Sequence, residues 1–170
     1  SREASNTLLS AALAFSEYAT ATLRAAHVAL AASQAELSQH GGYPAMQEAA
    51  LHALFARHLR LIADDGQKIA AHAMVFIDAQ GRLRASSLEA EVDGRDLSDQ
   101  EYFRHHLLDP SPTVWLSPLH LSQVSGLKVF VLSQRLTDAA GRFQGVLAIS
   151  LRIAHLEAYF DRLGLSPGQT

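Results

Sequence analysis

The chain has 170 residues, of which 48% are hydrophobic and 18% are charged, and these proportions are typical of one globular domain rather than a disordered segment. The net charge of −3 and the isoelectric point near 6.3 argue against a nucleic-acid-binding protein, since phosphate binding needs clustered Lys and Arg. The sequence contains no cysteine, so it predicts neither a disulfide framework nor a nucleophilic thiol.

Membrane-spanning segments are not predicted, because no run approaches the roughly 20 consecutive apolar residues that cross a bilayer. The first residue is Ser1 rather than Met, and a helical pattern begins at once. We therefore expect the chain to be a piece of a longer protein.

The first predicted element is a long helix over residues 3–39, a segment without Pro or Gly that is rich in helix-forming residues. A heptad pattern predicts a narrow seam on this helix, formed by Leu9, Ser16, Leu23, Leu30 and Leu37. Two interpretations stay open. The helix packs lengthwise on its own domain, or it associates with a second copy of itself.

The glycine pair at 41–42 ends this helix, and Pro44 is expected in the first turn of a second helix, where its missing N–H costs no hydrogen bond. The second helix should stop at residues 64–66, which read Asp-Asp-Gly.

Two hairpins of one design are predicted after the helices. In each turn an Asp accepts backbone hydrogen bonds and a Gly supplies a positive φ. The predicted strand, turn and strand of the two hairpins are residues 73–77, 78–81 and 82–87, and then residues 127–136, 138–141 and 143–153.

A short helix is predicted between the hairpins, with Ser98 and Glu101 as a capping box and an end near Leu108. A short strand at 114–117 and a terminal helix at 154–163 complete the elements. We therefore expect a single α+β domain with an antiparallel sheet of about five strands. Its parts are a helical region at 1–66, a sheet with the inserted short helix at 67–153, and a C-terminal helix at 154–164.

The second hairpin should have two different faces, because side chains alternate along a strand. The large residues of one face should carry the first two helices: Phe130, Leu132, Leu147 and Ile149. The small residues of the other face should leave room for a ligand under the segment 93–123, or else simply accommodate close packing: Val129, Val131, Ser133, Val146, Ala148 and Ser150.

Four ordered motifs resemble those of the Cache, or PDC, family of PAS-like sensor domains. The matching segments are Ser98-Asp99-Gln100-Glu101-Tyr102-Phe103, Trp115-Leu116-Ser117-Pro118, Gly126 to Ser133, and Asp138 to Val146. The resemblance covers about residues 73–163. It implies a periplasmic or other extracytoplasmic sensor in a bacterial inner-membrane protein, coupled to a diguanylate cyclase, histidine kinase or chemoreceptor output. It also raises the expectation that the chain is the membrane-distal half of a two-module sensor.

One departure from the family motif concerns ligand chemistry. Gln100 stands where the family often has an arginine that contacts a carboxylate, and Gln lacks the charge and the bidentate fork of Arg. A less acidic ligand, or none, is therefore expected, with Arg104 or Lys128 as substitutes for the missing cation. The predicted ligand-binding residues, with Tyr102 and Ser133 as first choices, are Tyr102, Ser133, Trp115, Arg104, Lys128, Gln100, Val131 and Ala148.

Neither a catalytic site nor a cofactor or metal site is predicted. The nine histidines are dispersed, and His52 and His58 are six residues apart rather than the four that would place them on one helix face. The expected partners are a small molecule, such as an amino acid, organic acid or amine, and a second copy of the chain. The alternative to sensing is a ligand-free dimerisation domain of a membrane receptor.

Overall fold

Two helices precede a six-stranded antiparallel sheet in the computed structural model, which describes residues 1–43, 45–63 and 71–152. The elements are α1 (Arg2–Gln39), α2 (Glu48–Ala63), β1 (Ala71–Asp78), β2 (Leu83–Ser86), α3 (Glu101–Leu108), β3 (Trp115–Leu116), β4 (His120–Leu121), β5 (Lys128–Thr137) and β6 (Phe143–Arg152). The predicted α+β class, the long first helix and the antiparallel sheet are confirmed. The predicted C-terminal helix lies outside the described residues.

The long helix α1 is continuous, as predicted, and Ser1 caps it by accepting a hydrogen bond from the backbone N–H of Ala4. Its buried side chains are concentrated in the C-terminal half: Ala11, Thr22, Ala26, Ala29, Leu30, Ser33 and Leu37. Leu30 and Leu37 of the predicted seam belong to the domain core, and Leu23 packs against that core. Lengthwise packing therefore accounts for this half of the seam, whereas Leu9 is exposed.

The predicted start of the second helix is wrong, because α2 begins at Glu48 rather than around Pro44, which lies outside the described residues. Gly41 and Gly42 both have positive φ, and the N–H of Ala45 then bonds to the carbonyl of Gly42. The chain thus makes a further turn before it can enter the helix.

The strand order of the sheet is β2-β1-β6-β5-β3, with β4 also paired to β5. Both predicted hairpins are present, and their turns have the expected chemistry. Asp78 accepts from the N–H groups two and four residues ahead, and Asp138 does the same. Gly81 and Gly141 have φ of 86° and 80°. The strand β4 is an element that the sequence did not predict.

The predicted asymmetry between the two faces of the sheet is confirmed. Leu132, Leu147 and Ile149 form one core with residues of α1 and α2. On the opposite face, Val131, Val146 and Ala148 form a second core with residues of α3. The two cores lie on opposite faces of one sheet. The large side chains face α1 and α2, and the small ones face α3.

The predicted capping box of α3 is wrong, because the N-cap is Gln100 and no side chain caps the helix. The N–H of Ser98 bonds to the carboxylate of Asp96, and the N–H of Gln100 bonds to the carbonyl of Leu97. This extra turn delays the helix by two residues. Gln100 itself is extended, with φ −72° and ψ 139°.

Gly145 should be the least replaceable glycine of the sheet. Its φ is 134°, and a Cβ there would overlap the carbonyl oxygen of Ile77 on the neighbouring strand. We expect Gly145→Ala to lower the free energy of unfolding by about 3 to 5 kcal/mol, since strain and overpacking add. Gly141→Ala is the matched control: its φ is also positive, but the space is open, so about 1 to 2 kcal/mol is expected. Urea denaturation measures the free energy of unfolding of both variants. Equal decreases would contradict the argument that a Cβ at position 145 overlaps the carbonyl oxygen of Ile77.

Candidate functional site

A small cavity lies on the small-residue face of the sheet. Its floor consists of Ala73 and Val75 of β1, Val131 of β5, and Ala148 and Ser150 of β6. Its other walls are Tyr102 of α3 and the segment that contains β4 and the following turn, through His120, Ser122, Val124 and Ser125. The cavity therefore occupies the place where the sequence predicted room for a ligand.

The wall formed by β4 and the turn after it begins at a break in the sheet edge beside β5. β3 pairs with β5 at Leu132 and Ser133, and β4 pairs with it again at Lys128 and Val129. Between them, Ser117 bonds twice to Val131: its N–H donates to the Val131 carbonyl, and its hydroxyl accepts from the Val131 N–H. This serine closes the gap in the ladder. The segment after it, residues 118–125, is the arch over the cavity.

Hydrogen bonds fix the arch in place. The Ser122 hydroxyl oxygen accepts from the N–H groups of Val124 and Ser125, at 3.1 and 3.2 Å, which closes a tight turn. From outside, the guanidinium of Arg95 donates to the carbonyl of Gln123 and to both carboxylate oxygens of Asp93. The wall of the cavity is thus attached to the loop that precedes α3.

The cavity is small, and its described lining mixes apolar side chains with hydroxyls and one imidazole but contains no Asp, Glu, Lys or Arg. Its volume of about 20 Å³ is enough for roughly one water molecule. The polar groups of the described lining are the phenol of Tyr102, the imidazole of His120 and three serine hydroxyls. Burial, followed by the nearby charge of Asp99, raises the pKa of Tyr102 to about 12. The phenol therefore remains a protonated hydrogen-bond donor at physiological pH.

Comparisons with known proteins identify this architecture. Neither a scan against protein-family models nor a search of curated proteins finds a match. Among solved structures, the extracellular domain of a protein described as a histidine kinase is similar over 93% of this chain, with 25% identity and a TM-score of 0.69. The chain has the Cache/PDC sensor-domain fold.

Two amino-acid chemoreceptors share this Cache fold at lower identity. The ligand-binding domain of Campylobacter jejuni Tlp3, solved with L-norvaline, has 15% identity over 98% of this chain and a TM-score of 0.62. The ligand-binding domain of Pseudomonas fluorescens CtaA, solved with L-alanine, has 16% identity over 91% and a TM-score of 0.62. The chain spans 61% to 62% of the length of these three structures.

Of the eight predicted ligand-binding residues, the Cache fold brings three to the cavity. Tyr102 forms part of the roof, and Val131 and Ala148 form part of the floor. The prediction for this group followed from the motif that carries Tyr102 and from the alternation of small residues along β5 and β6.

Ser133 and Trp115 lie beside the cavity in a buried contact between α3 and β5. The Ser133 hydroxyl donates to the carbonyl of Trp115 at 3.3 Å and lies 2.8 Å from Nε2 of His106. Because the only hydroxyl proton of Ser133 is used, Nε2 of His106 must be the donor in that second bond. The indole of Trp115 stacks on His105 with ring centroids 4.6 Å apart.

The three charged or amide candidates are outside the cavity lining. Gln100 donates to the carboxylate of Asp99 at 3.2 Å, and Arg104 and Lys128 are exposed. None of these side chains supplies a cation to the described walls.

Sequence reasoning missed most of the loop wall. His120, Ser122 and Val124 alternate in the sequence, but this segment was not predicted as a strand, so no face was assigned to its side chains. Ala73 could have been found, since the alternation along β1 places it on the same face as Val75. The described residues contain no cluster of three or more potential metal ligands, and no described helix is long and apolar enough to cross a membrane.

The buried His106 should make this Cache domain sensitive to acid. Burial, then the nearby His105 and Arg135, lowers the pKa of His106 to about 4, and its Nδ1 has no partner among the described residues. In the unfolded chain the imidazole of His106 binds a proton below about pH 6.5, but in the folded protein it does so only below about pH 4. Stability contributed by the neutral imidazole is therefore fully present above pH 6.5 and falls by about 3 kcal/mol down to pH 4.

We expect His106→Gln to reduce this pH dependence, because an amide can replace the donor to Ser133 but does not titrate. Urea denaturation of the wild type and the variant at pH 7 and pH 4.5 measures the difference. If the free energy of unfolding falls equally in the two proteins between pH 7 and pH 4.5, groups other than His106 cause the acid sensitivity.

Proposed function

We propose that this domain senses a small molecule outside the cytoplasm for a bacterial transmembrane signalling protein and that it is not itself a catalyst. The observation that carries the proposal is the cavity between the small-residue face of the sheet and the hydrogen-bonded arch over it. A fold whose solved examples include amino-acid receptors supports this assignment, although each such ligand belongs to its own protein.

The cavity is better suited to binding than to chemistry. A general acid, base or nucleophile needs a partner that tunes its reactivity. The described lining holds serine hydroxyls and one imidazole, but Nδ1 of His120 bonds to the carbonyl of Pro118, and no hydrogen bond among the described residues joins this ring to a serine of the lining. The parent protein would supply the output, as a histidine kinase, diguanylate cyclase or chemoreceptor of the inner membrane.

Binding must open the arch, because about 20 Å³ accommodates one water and not an amino acid. The Arg95 contacts and the Ser122 turn hold the closed form. A ligand that binds better to an opened form shifts the population toward it, and this shift is the signal that the domain can pass on.

A thermal-shift screen of amino acids, organic acids, amines and purines tests the sensing proposal. A ligand at 100 times its Kd should stabilise the domain by about 2.7 kcal/mol. Ala148→Val narrows the floor and should abolish the shift, whereas Ala140→Val in the exposed β5–β6 turn should leave it intact. If no compound raises the melting temperature of the wild type, the sensing proposal is wrong.

A second function, self-association through α1, is favoured by exposed leucines on its N-terminal half. Leu8, Leu9 and Leu13 are 48%, 62% and 58% exposed, and positions 9 and 13 are neighbours on one helix face. Leu30 is unsuitable for testing this idea, because it is fully buried in the core and a charge there would unfold the domain.

The double substitution of Leu9→Lys and Leu13→Lys should abolish any dimer without lowering the melting temperature. Val28→Lys is the control, since Val28 is equally exposed but lies on the C-terminal half of α1. Sedimentation velocity measures the mass of each protein. A wild type that is monomeric, or a double variant that remains dimeric, would contradict this function.

A further inference from the structure

We propose that the cavity selects a small polar molecule without formal charge, of only a few non-hydrogen atoms, that offers a carbonyl or hydroxyl oxygen. This inference rests on the proposed sensing function and specifies the chemistry of the same site. A ligand of this kind differs from a zwitterionic amino acid, which carries both a carboxylate and an ammonium.

The first argument is the charge of the lining. Among the ten described residues that form the walls there is no Asp, Glu, Lys or Arg. A carboxylate or an ammonium that is buried without an opposing charge loses several kcal/mol of hydration, and an amino acid would bury both. An uncharged ligand avoids this cost.

The second argument is that the neighbouring cations are already committed or face away. Arg95 reaches the wall from outside, but its guanidinium is bound to Asp93 and to the carbonyl of Gln123. Gln100, at the position where a cation was expected, donates to Asp99. No described Arg or Lys therefore replaces the missing arginine in the lining.

The third argument is that the walls offer hydrogen-bond donors. The oxygens of Ser122 and Ser125 accept backbone N–H groups, and their own protons have no acceptor among the described residues. Tyr102 of α3 adds a phenolic side chain to the lining. Several donors around one apolar floor fit an oxygen acceptor such as a carbonyl.

The fourth argument is size. The closed cavity holds about one water, so a ligand of about four non-hydrogen atoms needs a smaller movement of the arch than an amino acid does. At the best binding efficiency known for very small ligands, four atoms give a Kd no tighter than roughly 40 µM. The expected affinity is therefore micromolar to millimolar.

Isosteric probes test the charge selectivity directly. Acetamide and acetate have the same shape and differ in charge, and glycine adds the ammonium. Titrations of the isotopically labelled domain, followed by the backbone amide signals of residues 117–127, should show acetamide binding at least tenfold more tightly than acetate or glycine. A wild type that binds acetate or glycine as well as acetamide overturns the inference.

A cation placed in the wall should reverse the preference. Val124→Lys puts an ammonium in the lining and should strengthen acetate binding at least tenfold relative to acetamide. Leu121→Lys adds the same charge to the same arch at an exposed position that does not line the cavity, and should change neither affinity. If Val124→Lys does not fold, Ser125→Lys repeats the test from the same wall.

The outcomes distinguish this inference from the sensing proposal on which it rests. A charged compound whose binding is abolished by Ala148→Val would leave sensing intact and overturn the uncharged-ligand inference. Equal gains in acetate binding by Val124→Lys and Leu121→Lys would also overturn it, because the effect would then be long-range attraction. Failure of every compound to bind would remove the sensing proposal itself.

Discussion

The difference in side-chain size between the two faces of β5 and β6 determines the rest of the structure. Leu132, Leu147 and Ile149 form a close-packed core with α1 and α2 on one face. On the other face, Val131 and Ala148 are too short to fill the distance to α3 and the arch. The residual space on that face is the proposed ligand cavity.

The helix α3 connects that residual space to the buried polar contact beside it. Tyr102 and His106 are four residues apart and so lie on the same face of α3, one over the cavity and the other bonded to Ser133. Because a short helix moves as a unit, a displacement of Tyr102 would also strain the bond between His106 and Ser133. This contact would therefore oppose movement of the α3 wall of the proposed site.

The sequence predicted most of the fold because its signals are local. Turn chemistry at Asp78 and Asp138, together with the alternation along β5 and β6, was enough to place both hairpins and both faces. The misplaced helix starts near Pro44 and Ser98 have a common cause. In each place an extra turn, held by a hydrogen bond between nearby backbone groups, delays the helix beyond the start that the sequence signal indicates. The prediction that the chain is one half of a two-module sensor stays a prediction.

The site was predicted only as far as regular strands and α3 extend. Tyr102, Val131 and Ala148 lie on elements whose period assigns each side chain to a face, but His120 to Ser125 belong to an arch that exists because Ser117 interrupts the sheet edge. No local pattern reveals such an interruption, since it depends on a strand reached ten or more residues later. Loops of this kind carry ligand specificity on a conserved scaffold. In the proposed site, regular elements of the Cache fold form the floor and the α3 wall, whereas the arch carries the side chains on which the proposed ligand selectivity depends.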